Sequence, residues 1–240
     1  IEENTFIPYI HTSPLGHWTE KEDFPHGTQH YWGVWHGKDP MSHLAEKIGR
    51  FNAEYGFQSF PEFATLKSFS ERSDWNLSSQ VMKHHQKSYV GNGMIQKHAN
   101  LLYGKSKDFE QFVYFSQLTQ RYAVSSAVSG HRLDAPRCMG TLYWQLNDCW
   151  PGASWSGIDY YGKWKALHYN VKKAFKPVII SHEFIDSNLQ VSLVSDLKEA
   201  FIGEVEISLM PFNGDSILQT WKQQVSLKPF KVGAILTIFK

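Results

Sequence analysis

Phe109, Phe112, Phe115, Leu118 and Tyr122 recur at three- and four-residue intervals, the spacing that lines one face of a helix. A helix of about five turns is predicted here, and Asp108 with Gln111 three positions on resembles a capping box at its start. Upstream, Asp39-Pro40 reads as an N-cap followed by proline at the first helical position, with a short helix through Leu44 and Ile48. Phe51 to Gly56 alternates small and aromatic residues and predicts a short strand that Gly56 ends. Pro61 then opens a helix through Phe63 and Leu66. Residues 70–105 are polar and carry no firm periodic signal. Gly140 to Leu146 predicts an apolar, aromatic strand, followed by a loop and a helix near Ala166–Phe175.

The order helix, strand, helix, helix, strand, helix implies a parallel α/β sheet or barrel. Pro177 marks a change of style. From Val178 the chain alternates in short runs (residues 189–196, 203–210 and 221–227), broken by turn residues at Asn213-Gly214-Asp215 and Lys228-Pro229. That is the pattern of an antiparallel sandwich, although about 60 residues is short of the ~100 such a domain uses. Ile1–Asn4 lacks the basic and apolar regions of a signal peptide, and the last residues are an apolar run without a terminal turn. The expectation is a chain cut at both ends.

Composition narrows the chemistry. Net charge is +1 with 20% charged residues, which points to neither nucleic acid nor an anionic membrane surface. No apolar run approaches the ~20 residues that span a bilayer. Aromatic residues make up 15%, and eight of the nine Trp precede residue 165. Such an excess fits either a large aromatic core or a site where flat rings stack on a pyranose. Cys138 and Cys149 make no disulfide framework, and neither His84-His85 nor His26 with His30 forms a helical metal face, so no metal is expected. Asn76-Leu77-Ser78 is a glycosylation sequon, a pattern common by chance.

Alone, Glu54 in RFNAEYGFQSFP (residues 50–61) reads as solvation of a strand end; its neighbours change that. AEYGFQSFP (53–61) resembles the nucleophile segment of β-mannosidases, in the glycoside hydrolase family that also contains β-galactosidases and β-glucuronidases. GTLYWQLNDCWPGASWSGIDYYGKWKALHY (140–169) resembles the eighth barrel strand and following loop of the same enzymes. HYWGVWHG (30–37) resembles a third segment just upstream of the nucleophile. The three occur in the family's order, and the second favours mannosidases over their cousins.

The resemblance implies a fold: residues 1–177 as the C-terminal part of a (β/α)8 TIM barrel, and 178–240 as a partial immunoglobulin-like β-sandwich. It implies a retaining exo-β-mannosidase that removes terminal β-mannose from an oligosaccharide or glycoconjugate, with no metal or organic cofactor. Such a site uses two carboxyl groups roughly 5–5.5 Å apart, one attacking the anomeric carbon and one acting as acid and then base. By resemblance Glu54 is the nucleophile. Its partner in the family is a Glu following an Asn, and this sequence has no Asn-Glu dipeptide; the acid/base is expected upstream of residue 1, leaving the chain alone inactive. Trp144 is implied as a stacking wall for the sugar. Trp18, Trp32 and Trp35 are candidates for the same pocket, with core packing the competing role. His36 stands where relatives place a Tyr that hydrogen-bonds the nucleophile, and Tyr31 is its rival. Asn147 and Asp148 are candidates for binding hydroxyls or capping the next loop, and Cys149 for a small buried filler. Relatives work in the bacterial periplasm and in lysosomes; two cysteines favour a periplasmic or secreted setting. A carbohydrate-binding module would explain the aromatics, but has no reason to hold Glu54 at a barrel strand end.

Overall fold

In a computed structural model of the chain, residues 9–17 and 27–238 are described. They fall into two units, residues 1–131 with 138–174, and residues 132–137 with 175–240. The first is mixed α/β. Strands β1 (Gly16–His17), β2 (Thr28–Tyr31) and β3 (Phe51–Tyr55) are hydrogen-bonded side by side in parallel. Next to β3 runs the segment predicted as the strand 140–146. It pairs parallel to β3 at Asn52 and Thr141, and the Leu142 and Trp144 N–H groups donate to the Asn52 and Tyr55 carbonyls at 2.8 Å each. Its outer residues Leu142, Trp144 and Leu146 are exposed.

The helical expectations hold with shifted bounds. The helix after Pro40 contracts to α1 (His43–Glu46) behind Ser42, because Asp39 is occupied elsewhere, accepting a hydrogen bond from the Tyr31 hydroxyl at 2.8 Å. Helix α2 (Phe63–Lys67) follows Pro61. The polar stretch 70–105, which gives no periodic signal, holds a 3-10 turn (Arg72–Asp74), α3 (Gln80–His84) and α4 (Asn92–Tyr103). Gly91 and Gly104 bound α4 with φ of 78° and 77°, left-handed values that only glycine adopts without strain.

Helix α5 (Phe109–Leu133) is 25 residues, longer than its aromatic stripe predicts. At its start the Gln111 N–H donates to Asp108 Oδ1 at 2.7 Å, while the Gln111 side chain accepts from Lys107 N–H rather than Asp108. The stripe is buried in part: Phe112 is buried and Phe109 and Phe115 pack against the core, Tyr122 is exposed, and Ser116, Gln117, Thr119 and Gln120 are buried beside Val113, Ala123 and Val124. These polar groups sit inside because backbone groups meet them, Gln117 Oε1 accepting from Ala166 N–H at 3.0 Å. Gln120 Nε2 donates to the carbonyls of Phe57, Ser154 and Ser156, and Ser116 Oγ accepts from Phe60 N–H. Helix α6 (Ala166–Ala174) closes the unit, burying Leu167 and Val171. The core is aromatic: Trp35, Tyr55, Phe57 and Phe60 are fully buried with Leu66, Met82, Ile95 and Leu167.

The second unit is antiparallel. β4 (Val178–Ile185), β5 (Asn188–Ser195) and β8 (Lys231–Ile238) form one sheet with β5 in the middle. β6 (Phe201–Leu209) pairs with β7 (Gln219–Leu227) from end to end. No helix among the described residues is long and apolar enough to cross a membrane.

Candidate active site

Glu54 is the fourth of the five residues of β3, near its carboxy-terminal end, where open parallel sheets and barrels keep their reactive groups. Alternation along the strand puts Asn52 and Glu54 on one face and Tyr55 on the other. Asn52 is used structurally, its Oδ1 accepting from Gly49 N–H at 3.0 Å and its Nδ2 donating to Cys138 Sγ at 3.2 Å. Tyr55 is fully buried, its hydroxyl 2.6 Å from Thr141 Oγ1 and its ring edge-on to His131, and burial raises its pKa. His131 also lies 2.8 Å from Thr141, and burial holds its pKa down to about 4, so its ring is neutral at physiological pH. These two residues lock β3 against the 139–144 segment and leave Glu54 free for other work.

Glu54 is about one quarter exposed, and its Oε2 atom carries both of its contacts among the described residues. Trp32 Nε1 donates to Oε2 at 3.3 Å. His30, the register partner of Glu54 on β2, places Nδ1 3.3 Å from the same oxygen. Oε1 accepts nothing among the described residues.

Around this pair the rings interlock. Trp32 meets Trp155 edge-on at 5.9 Å and His36 at 5.7 Å. Trp35 packs edge-on against Phe57 and Trp155, and its Nε1 donates to Ser88 Oγ at 3.0 Å. On the other side of β3 Trp144 is 42% exposed. It approaches so closely that a Cβ on Gly56 would overlap its carbonyl oxygen, so this crossing needs glycine.

Beyond Trp144 the loop is held by a buried polar network. The Asp148 side chain is fully buried, accepting from Lys87 Nζ at 2.7 Å and from the Ser154 and Ser156 hydroxyls at 2.8 and 2.7 Å. Lys165 is 0% exposed; its Nζ donates to the Ser59 and Ser154 carbonyls at 3.3 and 3.2 Å, and burial lowers its pKa to about 7. Asp159 accepts from Thr65 and from the Tyr161 and Lys163 N–H groups. The Ser59 and Ser154 backbones pair antiparallel, so the segment just after Glu54 and the loop after Trp144 are joined.

No family model matches the chain. Beta-mannosidase B of Emericella nidulans is 31% identical over 218 residues, 83% of this chain and 26% of that protein. Rat beta-mannosidase is 29% identical over 265 aligned positions, all of this chain and 29% of that protein. The crystal structure of a beta-D-mannosidase from Dictyoglomus thermophilum superposes with a TM-score of 0.80 at 28% identity, covering 89% of this chain and 26% of that one. The chain belongs to the β-mannosidase family of glycoside hydrolases. It spans about a quarter of the length of these relatives. An exo-chitosanase of Amycolatopsis orientalis, TM-score 0.66 at 21% identity, shares the fold.

Within this β-mannosidase-family chain, the expected site residues separate. Glu54, Trp32 and, through Trp32, His36 come together. His36 meets Trp32 rather than Glu54, and the Tyr31 hydroxyl goes to Asp39; Glu54 takes His30 and Trp32 in place of either expected partner. Trp35 is 0% exposed and has no ring face to offer a ligand. Asn147 is exposed, whereas Asp148 is consumed by Lys87 and two serines. Cys149 is exposed, not the buried filler expected, because the chain turns outward after Asp148 dives in. Trp18 lies outside the described residues. Sequence reasoning missed His30, although it sits in the same HYWGVWHG segment; its strand register with Glu54 was the missing signal. Trp155, edge-on to Trp32, was missed as well. Among the described residues no cluster of three or more His, Cys, Asp or Glu is arranged to hold a metal.

Proposed function

We propose that residues 1–240 are part of a retaining exo-β-mannosidase that removes terminal non-reducing β-D-mannose, with Glu54 as nucleophile. The observation that carries this reading is the asymmetry of the Glu54 carboxylate. Oε2 is held by Trp32 and faced by His30, while Oε1 is left for attack. In the reaction, Oε1 bonds to the anomeric carbon as the glycosidic C–O bond breaks, and an acid protonates the departing oxygen. Water then adds from the vacated side, gives its proton to the same acid/base group, and releases Glu54; two inversions give net retention. No metal or organic cofactor takes part.

The acid/base is proposed to lie outside residues 1–240. The contacts of Glu54 among the described residues are nitrogen groups, and the family's Asn-Glu pair does not occur in the sequence. The proposed architecture, the C-terminal part of a TIM barrel over 1–177 and a partial immunoglobulin-like sandwich over 178–240, is supported by the parallel strands of the first unit and the antiparallel sheets of the second. Trp144, exposed beside β3, is proposed to stack on the sugar.

A 2-fluoro mannosyl label applied to the full-length protein should attach at Glu54; attachment to another carboxylate would sink the assignment. Residues 1–240 purified alone should show no β-mannoside hydrolysis, and hydrolysis by this chain would place the acid/base within it. Faster turnover of a β-galactoside or β-glucuronide would move the reading to a sister activity.

A further inference from the structure

The outer edge of the site holds one exposed ring that is fixed more firmly than a surface side chain requires. Tyr89 is 88% exposed, yet its ring is stacked on His36 with centroids 5.2 Å apart and planes 16° from parallel. Burial lowers the pKa of His36, which favours its neutral, flat-stacking form. His36 meets the edge of Trp32, and Trp32 donates to Glu54. A single row of rings thus leads from the carboxylate to solvent.

The backbone on both sides of Tyr89 is tied down. Ser88 Oγ accepts from Trp35 Nε1 and, at 3.2 Å, from Val90 N–H. Ser88 N–H donates to Gln86 Oε1 at 2.8 Å, and Gly91 N–H donates to the Ser88 carbonyl at 3.1 Å. Tyr89 also belongs to the long connection between β3 and α5, which leaves β3 from the end that carries Glu54. A scattered exposed apolar residue needs no explanation. A pre-ordered aromatic with one face on a neighbour and the other open is different: it presents large contact area without an ordering cost on binding.

We propose that Tyr89 is the platform for the leaving-group side of the substrate, its open face stacking on the second pyranose or on an aryl aglycone. The inference rests on the β-mannosidase reading. The terminal sugar must put its anomeric carbon at Glu54, next to Trp32 and Trp144. Tyr89 lies two ring-to-ring steps further out, where the next ring of a glycoside falls. A pyranose has an apolar C–H face and a polar rim, and Tyr matches both with its ring and its hydroxyl.

The test is made on the full-length protein with two substrates, methyl β-mannoside, whose leaving group cannot reach Tyr89, and mannobiose, whose leaving group is a sugar. Tyr89→Ala should lower kcat/KM for mannobiose about tenfold, equivalent to ~1.4 kcal/mol, and leave methyl β-mannoside within about twofold. Tyr89→Phe should keep most of the mannobiose activity, since the stacking face survives. Equal losses on both substrates, or no loss on either, overturn the proposal. Wild-type protein that hydrolyses neither substrate removes the β-mannosidase reading and this platform with it; wild-type activity with an indifferent Tyr89→Ala removes the platform alone.

Discussion

The two units of this chain solve burial in opposite ways. In the parallel α/β unit, four fully buried aromatic residues sit beside a buried network in which Asp148 accepts from serine hydroxyls, Asp159 from the Thr65 hydroxyl and backbone N–H groups, and Lys165 donates to backbone carbonyls. In the antiparallel unit most strand positions are exposed or half-buried, and the buried apolar set is Val191, Leu193, Val194 and Val205. β6 and β7 expose Ile202 and Leu209 and pair surface charges such as Lys222 with Glu206 at 2.8 Å. The lesson is where precision is kept. Buried polar networks are costly unless every member is satisfied, and once satisfied they hold loops in one arrangement. Among the described residues that arrangement joins the segment after Glu54 to the loop after Trp144, whereas the strand-rich unit pairs buried Arg132 with an Asp196 that faces water.

The comparison can be broken most severely at Glu54. Glu54→Gln in the full-length protein should cut turnover of an aryl β-mannoside by at least about a thousandfold, ~4 kcal/mol of barrier, with an unchanged melting temperature. A normal rate in the variant would detach the site from the reaction. Next comes the network. Asp148→Ala strands the Lys87 ammonium in the interior and should destabilise by ~3–5 kcal/mol, read as a lower denaturant midpoint, whereas Asn147→Ala on the exposed neighbour should stay within about 0.5 kcal/mol. Equal effects would deny the network its structural role.

Trp144→Ala should lower kcat/KM about tenfold or more with little change in melting temperature, because the ring is partly exposed. A loss of stability with unaltered kinetics would return Trp144 to the core. The network also predicts a pH signature. Lys165 has a folded pKa of about 7 against 10.5 for the free group, so the unfolded chain binds the extra proton between those values. Stability should therefore rise with pH across that window, and the cost of burying the charge is fully present below it. Lys165→Met should flatten the profile there; an unchanged slope would show that the lysine is not the titrating group. The smallest effect is expected at Lys222→Ala in the antiparallel unit, where a solvent-screened pair should leave the midpoint unmoved.

Local signals were legible in proportion to how local their causes are. Alternation from Val178 onward, the strand before Gly56 and the helix around Phe112 follow from periodicity alone, because each reports one face of one element. Helix α4 left no such trace: its buried positions include Asn92 and His98, which satisfy hydrogen bonds or ring contacts rather than fill a greasy stripe. On α5 only part of the inward face is apolar: the Phe60 ring meets Phe112, while Ser116 and Gln120 meet backbone groups and leave no periodic apolar signal.

Sequence alone determined that Glu54 stands at a strand end between aromatic neighbours, in motifs like those of β-mannosidases. Which neighbour touches it was decided by tertiary structure. Parallel pairing sets His30 opposite Glu54, and the turn after β2 swings the Trp32 indole onto the same oxygen while sending His36 outward to Tyr89. Asp148 and Asn147 are adjacent in sequence, yet one is buried on Lys87 and the other faces water. Strand register and the fate of a buried charge depend on groups dozens of residues away, and no local pattern records that distance.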